Sequence, residues 1–496
     1  MESLFFNLQK DKQFKRQTQL LRLLSENANQ CSTAELAGTL ECSMPTLAKE
    51  LSYLNIVLKN YNVKLTTSVT GHVTLTYATN ISIDSMITIL TKDTLVFQIM
   101  WSILHNKKWT LQQAILELDS SRSSLLRTIG YMNEVLQEYN LLISTKTIDF
   151  IGNEEDVRVC LFAFYSAFGN STIISAESEA EADYLVELGK RLGLPRLHLC
   201  HFRVSIWLSI TRIRWRHKCF VSLAKEVEVA IANKKDLQIF NKLMQTLFRH
   251  YYQFGKLPQD EVSWAFITSL HCVSYSSNYS SSIPTPDFIF RRLEYPEIVT
   301  ATHKFLENVF PQQLIQEGAL EKMEACLINT RLLSKVTSNF ELIEPRLKAL
   351  AESIHSELYQ MWYQHLGDLK KSEGFSFSHL RDVAVMLTTL HTAVKKQQKQ
   401  KPVRILFAFQ GEAGFDDYLA ETTKLFITEK VQADYCLEKA VTKKRIKQAE
   451  ADLVVCNYDV HLINDITCPI IRLSNIPTLI DWGVVRDAIT RLVEQE

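Results

Sequence analysis

The sequence predicts a mainly α, multidomain protein that ends in a small α/β domain, and three observations predict it. First, only 14 of 496 residues are Gly and 11 are Pro, while 46% are hydrophobic and 10% aromatic, so core-forming residues are plentiful and turn residues are scarce. Second, a pattern of two helices and a β segment recurs near the N-terminus with an offset of 78 residues. Third, beyond Lys401 the apolar periodicity changes to short β-like runs alternating with amphipathic stretches, the pattern of a small parallel sheet.

Length alone suggests three to five domains at about 100 to 200 residues each. Basic and acidic residues both number 55, so the whole-chain charge gives no reason to expect a polyanionic partner, which must be sought in local patches. The ten cysteines form no C-x-x-C pair, which predicts small core thiols in a reducing cytoplasm and neither a metal site nor a cofactor. No apolar run approaches the roughly 18 to 20 residues of a membrane helix, and the opening MESLFFNLQKDKQFKRQ is charged where a signal peptide is apolar. The expectation is a cytoplasmic chain with no membrane partner.

The repeat begins with an amphipathic lead helix (Phe14 to Asn27; Asp93 to Asn106). A short helix follows, capped by Ser32 or Thr110, with apolar positions Leu36, Ala37 and Leu40, or Ala114, Ile115 and Leu118. After a tight turn, Ser43 or Ser121 caps a longer helix that carries Leu47, Leu51 and Leu54, or Leu125, Ile129 and Met132, on one face. A β ribbon closes each copy. Two short helices joined by a tight turn, between a lead helix and a ribbon, make a winged helix-turn-helix. Its longer helix would leave Ser43, Met44, Pro45, Thr46 and Lys49 exposed in the first copy and Arg122, Ser123, Ser124 and Arg127 in the second. In a major groove such residues reach phosphates and base edges, with Arg suited to guanine. The first 60 residues carry seven Lys or Arg against six Asp or Glu, so affinity per module should be modest and raised by using both modules or a dimer. Lys10, Lys12, Lys15 and Arg16 cluster ahead of the repeat.

From about Asn153 to Gln400 the periodicity is helical, divided near SSNYSSSIPTPD (Ser276 to Asp287). Arg191 to Lys218 holds seven basic residues, three histidines and no acid, and could bind phosphate, a phosphorylated partner or DNA, or else form a helix with an apolar core face and solvated arginines. Histidine nitrogens can accept a phosphoryl group from a carrier, which makes His198 and His201 candidate switches. DEVSWAFITSLH, ending at His271, is echoed by RDVAVMLTTLH, ending at His391, a slight similarity that suggests the two blocks are related. No G-x-S-x-G, P-loop or H-E-x-x-H motif appears, and no familiar enzyme class is indicated. After KQQKQKP come β runs at Val403 to Phe409 and Ala433 to Leu437, then DLVVCNYD, PIIRLSN and a closing helix whose apolar residues, Ile480, Val484, Val485, Ile489, Leu492 and Val493, give it a face to bury. The loop after the first strand, where such folds bind phosphate, has no Ser, Thr or Cys between Phe409 and Asp416.

Two winged helix-turn-helix units, two helical blocks with scattered histidines and a small α/β domain, in that order, resemble the Mga and AtxA family of regulators from Gram-positive bacteria. The resemblance covers nearly the full chain. It implies winged helix-turn-helix domains at 1–80 and 81–160, PTS-regulation-like domains at 161–285 and 286–400, and an EIIB-like domain at 401–496. It further implies promoter DNA as partner, phosphocarrier proteins of the sugar phosphotransferase system as possible partners, and a homodimer. Candidate phosphorylation sites are then His198, His201, His217, His271 and His391. LEKMEACLINTRLL in the second block lacks a histidine, and Gln410 stands where an active EIIB carries its phosphorylated cysteine, so the last domain should be inactive and kept for dimerisation. The expected function is DNA-binding transcriptional regulation and not catalysis. The alternatives are a phosphotransferase component, which needs the missing cysteine, and an RNA-binding antiterminator, which begins with a β-rich domain.

Overall fold

The computed structural model describes residues 4–26, 31–78, 81–166, 183, 199–225, 227, 237–238, 240–242, 244–246, 257–273, 300, 302, 304–307, 319–343, 345–372, 377–397, 403–410, 414–424, 431–437, 441–457 and 468–495. The protein is mainly helical, with a parallel sheet confined to its C-terminal region, and its chain divides into two compact units, Met1–Val394 and Lys395–Glu496.

The first unit opens with α1 (Leu4–Leu8) and α2 (Lys12–Glu26). The first copy of the repeat continues through β1 (Cys31–Ser32), α3 (Thr33–Thr39), α4 (Met44–Val57), β2 (Lys64–Thr67) and β3 (His72–Thr76). These strands form an antiparallel sheet in the order β1-β3-β2, and its alternation sends Leu65, Val73 and Leu75 into the core. At the hairpin Gly71 has φ +80, a left-handed conformation that side-chain-bearing residues adopt at a cost. The second copy comprises α5 (Ile83–Thr91), α6 (Leu95–Leu104), α7 (Leu111–Glu117), α8 (Arg122–Leu136) and a two-stranded ribbon of β4 (Leu142–Ile143) and β5 (Phe150–Ile151). Among the described residues no single helix is long and apolar enough to cross a membrane. The pair α5 and α6, bent by 75°, is apolar because Met86, Ile87, Leu90, Ile99, Met100 and Ile103 are core residues.

The same unit continues with α9 (Glu154–Ser166), α10 (His201–Arg216), α11 (Gln259–Thr268), α12 (Ala319–Ser334), α13 (Pro345–Ile354), α14 (Ser356–Ser372) and α15 (Leu380–Gln397). Two arginines of the basic stretch, Arg212 and Arg214, behave differently from either expectation, whereas Arg216 is exposed. Arg212 and Arg214 are buried, and Arg214 is held by the Glu154 carboxylate at 2.6 Å while donating to the Ile103 carbonyl at 2.7 Å. Fully buried Arg158 donates twice to Glu261 at 2.8 Å, to Glu154 at 3.0 Å and to the Cys219 carbonyl at 2.8 Å. A guanidinium is tolerated inside only when its fork is met by carboxylates and carbonyls, and here, apart from the bond of Arg158 to Glu154 one helical turn away, those partners lie far off in sequence. This part of the stretch is an internal clamp between α10, α9 and the second copy of the repeat.

The two echoed segments also share a device. Glu261 accepts the Val221 amide at 2.9 Å, and Asp382 accepts the Ile343 amide at 2.9 Å, so each pins a chain segment about 40 residues upstream. Between the blocks, Asp156 accepts from Thr337 and Asn339.

The second unit consists of β6 (Val403–Phe409), α16 (Phe415–Thr423), β7 (Val431–Leu437), α17 (Lys443–Gln448), β8 (Leu453–Cys456), β9 (Ile470–Arg472) and α18 (Leu479–Gln495). All pairings are parallel, in the order β7-β6-β8-β9. Central β6 is buried on both faces: Ile405, Phe407 and Phe409 meet Trp482, Val485 and Ile489 of α18, while Leu406 and Ala408 meet Cys436, Ile446 and Val454. The face expected of the closing helix is therefore split. Val485 and Ile489 cover the sheet, but Ile480 is 81% exposed and Val484 52% exposed, because a helix lying on a four-stranded sheet turns only one stripe toward it.

Candidate nucleic-acid interface

Both copies build their turn from the same local chemistry. Ser32 Oγ accepts the Glu35 amide while the Glu35 carboxylate accepts the Ser32 amide, and Thr110 and Gln113 form the equivalent capping box. In the first copy these bonds favour the ionised carboxylate and hold the Glu35 pKa below its ordinary value. The chain then reverses through Glu41 (φ 49) and Asp119 (φ 44), with the Cys42 amide donating to Ala37 at 3.0 Å and the Ser120 amide to Ile115 at 3.1 Å. Ser43 and Ser121 cap α4 and α8 by accepting the Thr46 and Ser124 amides.

A second correspondence ties each long helix to its ribbon. Asn55 accepts the Leu65 amide and donates to the Leu65 carbonyl, both at 2.8 Å. Asn133 treats Ile143 in the same way, at 2.6 and 3.1 Å. Every pair in these two descriptions is separated by the same 78 positions, down to the left-handed Asn62 and Asn140 that end the following turns. The Asn clamp orients the ribbon against the helix, a role that helix periodicity alone did not flag.

The candidate contact residues lie at the start of α4 and α8. Ser43, Met44, Pro45 and Lys49 are exposed and Thr46 is half-buried; Arg122, Ser123 and Arg127 are exposed and Ser124 is half-buried. The hydroxyls of Ser43 and Ser121 are engaged as caps, whereas Lys49, Arg122 and Arg127 make no ion pair among the described residues. Opposite, Leu47, Leu51 and Leu54, and Leu125, Ile129 and Met132, are core. The first module has an additional anchor in Glu50, a buried carboxylate on α4 that receives Arg16 at 2.9 Å and Gln17 at 2.7 Å from α2.

The N-terminal basic cluster is divided by this packing. Arg16 is spent on Glu50, while Lys10 and Lys12, at the start of the first copy, border the second module. There they line, with Thr94, Ser124, Arg127 and Tyr131, a cavity of about 500 Å³. Lys10 Nζ sits 3.8 Å from the centre of the Tyr131 ring and 3.9 Å from Glu134. The exposed start of α8 is thereby extended by two lysines that its own sequence neighbourhood does not contain.

The candidate histidines fall in different settings. His198 lies outside the described residues. His201 begins α10, part-exposed, with Nε2 3.1 Å from Asp183. Exposed His217 caps the C-terminus of α10, and burial together with Arg214, Lys107 and Arg216 holds its pKa below the ordinary value. His271 is enclosed by Phe162, Trp207 and Phe340, and burial pushes its pKa down to about 3. His391 is buried with its ring against Trp362. In the second unit, Gln410 directly follows β6, with its backbone clamped by Asn457 at 3.0 and 2.8 Å. Among the described residues no three His, Cys, Asp or Glu side chains converge as a metal site requires.

Residues 79–165, which span the second module, match the Mga helix-turn-helix domain. Along most of its length the chain is also similar to Mga/AtxA-type regulators. It is 20% identical to the capsule synthesis positive regulator AcpB of Bacillus anthracis over 485 residues, covering 95% of this chain and 97% of AcpB. It is 19% identical to a putative trans-acting regulator of Streptococcus pneumoniae over 471 residues, covering 89% of this chain and 91% of that one.

Proposed function

We propose that the protein is a DNA-binding transcriptional regulator of the Mga type that docks both helix-turn-helix modules on promoter DNA and performs no catalysis. The observation that carries this reading is the duplicated scaffold, which presents Lys49 on one long helix and Arg122 and Arg127 on the other, all unpaired and exposed above an apolar face. Cations so placed neutralise phosphates and reach guanine edges. Lys10 and Lys12 add positive charge at the second module.

Regulation is assigned to the helical blocks, which act as PTS-regulation-like domains in a cytoplasmic protein with ten free thiols. His201 and His217 are the accessible phosphoryl acceptors among the described candidates, since His271 and His391 are packed among aromatic rings. The C-terminal unit is read as EIIB-like and inactive, with Gln410 in place of a nucleophile. It serves as a dimer contact through the apolar patch of Ile476, Leu479, Ile480 and Val484. Binding of the full chain to genomic promoter fragments, followed by gel shift across salt concentrations, tests the central reading. A retained, salt-sensitive shift supports it, and the absence of any shift at low salt overturns it.

A further inference from the structure

A cavity of about 310 Å³ opens in the first unit where the ends of several elements meet. Its described walls are mostly apolar, among them Leu4 of α1, Phe162 of α9, Phe202 of α10, and Phe340 and Ile343 between α12 and α13. Two basic side chains, Arg203 and His271, interrupt this lining. Arg203 Nη1 donates to the His271 carbonyl at 2.9 Å, and the guanidinium makes no ion pair among the described residues. His271 Nδ1 accepts the indole N–H of Trp207 at 3.1 Å, so the neutral ring carries its proton on Nε2 and that end is a donor. Asn339 also lines the cavity. Its amide nitrogen is used by the Tyr139 carbonyl and Asp156, and its buried Oδ1 has no hydrogen-bond partner among the described residues.

We propose that this cavity is a binding site for a small apolar carboxylate, whose body lies against Phe162, Phe202 and Phe340 and whose carboxylate is met by Arg203 and the His271 Nε2–H. A polyol or sugar could give one hydroxyl to Asn339 Oδ1 but would leave its others unpaired against the apolar wall, and a cation would face a guanidinium with no compensating acid in the described lining. A single guanidinium matches one carboxylate by its planar fork. The volume is at the lower end of ligand sites, about 300 to 1,000 Å³, and limits the ligand to roughly the size of a medium-chain or phenyl-substituted acid. The position gives binding a route to the second module. Tyr139 ends the helical turn that follows α8, and Leu4 belongs to α1, which packs on α8.

The test is isothermal titration of the full chain, without DNA, with octanoate and 3-phenylpropanoate, and with octanamide as the uncharged counterpart of octanoate. Because DNA is absent, the outcome is independent of whether the chain binds promoters. The proposal expects saturable binding of at least one acid at one site per chain, with octanamide at least tenfold weaker than octanoate if octanoate is the acid that binds. It also expects a loss of at least tenfold in Arg203→Met and a smaller loss in Arg203→Lys. Absence of saturable binding by both acids, equal binding of octanoate and octanamide, or undiminished binding by Arg203→Met overturns it. Should Arg203→Met fail to fold, the comparison of acid with amide on the unaltered chain, and Val159→Phe to fill the cavity, decide the matter.

Discussion

Replacing Asn133 with Ala should loosen the second wing while leaving the fold of its module intact. The side chain makes two hydrogen bonds to Ile143, accepting its amide at 2.6 Å and donating to its carbonyl at 3.1 Å, and both groups are partly buried at the start of β4. An unmet buried polar group costs about 1 to 3 kcal/mol. Water reaches part of this site, so each group is assigned the lower end, for a total of about 2 to 3 kcal/mol. At about 1.4 kcal/mol per decade, that opens the ribbon roughly 30- to 150-fold more often. Amide hydrogen exchange read by mass spectrometry should show this acceleration in peptides covering 141–151 and not in those covering 62–76. Asn55→Ala should give the reverse pattern. Unchanged protection around Ile143 in Asn133→Ala would refute the clamp.

Three further outcomes are expected, the first from the structure and the other two from the proposed function. His271 is held neutral with a pKa of about 3, below the unfolded value of about 6.5, so the unfolded chain takes up the extra proton first. Its contribution is therefore whole above about pH 6.5 and declines toward pH 3 by about 1.4 kcal/mol per unit; His271→Gln should flatten the stability profile between pH 6 and 4 in urea titrations, and parallel profiles would count against it. Ile480→Asp combined with Val484→Asp should convert a dimer to a monomer by light scattering with circular dichroism unchanged, whereas a persisting dimer would place the contact elsewhere. Incubation with the general phosphotransferase proteins should label His201 or His217, with loss of label in the double Ala variant; label only beyond residue 290 would move regulation to the second block.

Much of the helix-turn-helix architecture was legible because its signals are local. A capping Ser or Thr, an apolar face at helical spacing and a tight turn all lie within one short stretch, and they recur 78 positions later at Ser32 and Thr110, Ser43 and Ser121. The parallel sheet was legible for the same reason, since within Val403–Phe409 the residues Ile405 to Phe409 are a continuous apolar run that must be buried on both faces. What could not be read depends on distant partners. Arg158 finds Glu261 103 residues away, Arg214 finds Glu154 60 away, and neither pairing has a periodic signature. Likewise the basic cluster at the start of α2 gave no sign that Lys10 and Lys12 would flank the second module, because α1 crosses to α8 only in three dimensions. In the closing helix the apolar residues exceed what one sheet face can cover, so sequence could not tell Val485, inside, from Val484, outside.

The most direct test of the central claim is fluorescence anisotropy of the full chain on a bound promoter duplex, comparing Lys49→Ala, Arg127→Ala and the double variant across salt concentrations. If both modules dock, each single change weakens binding, by about 1 to 3 kcal/mol for a base contact or with a salt slope reduced by about 1 for a phosphate contact. The double variant then loses roughly the sum, since the two positions sit on separate modules. Affinity and salt slope that stay unchanged in all three variants would contradict the account.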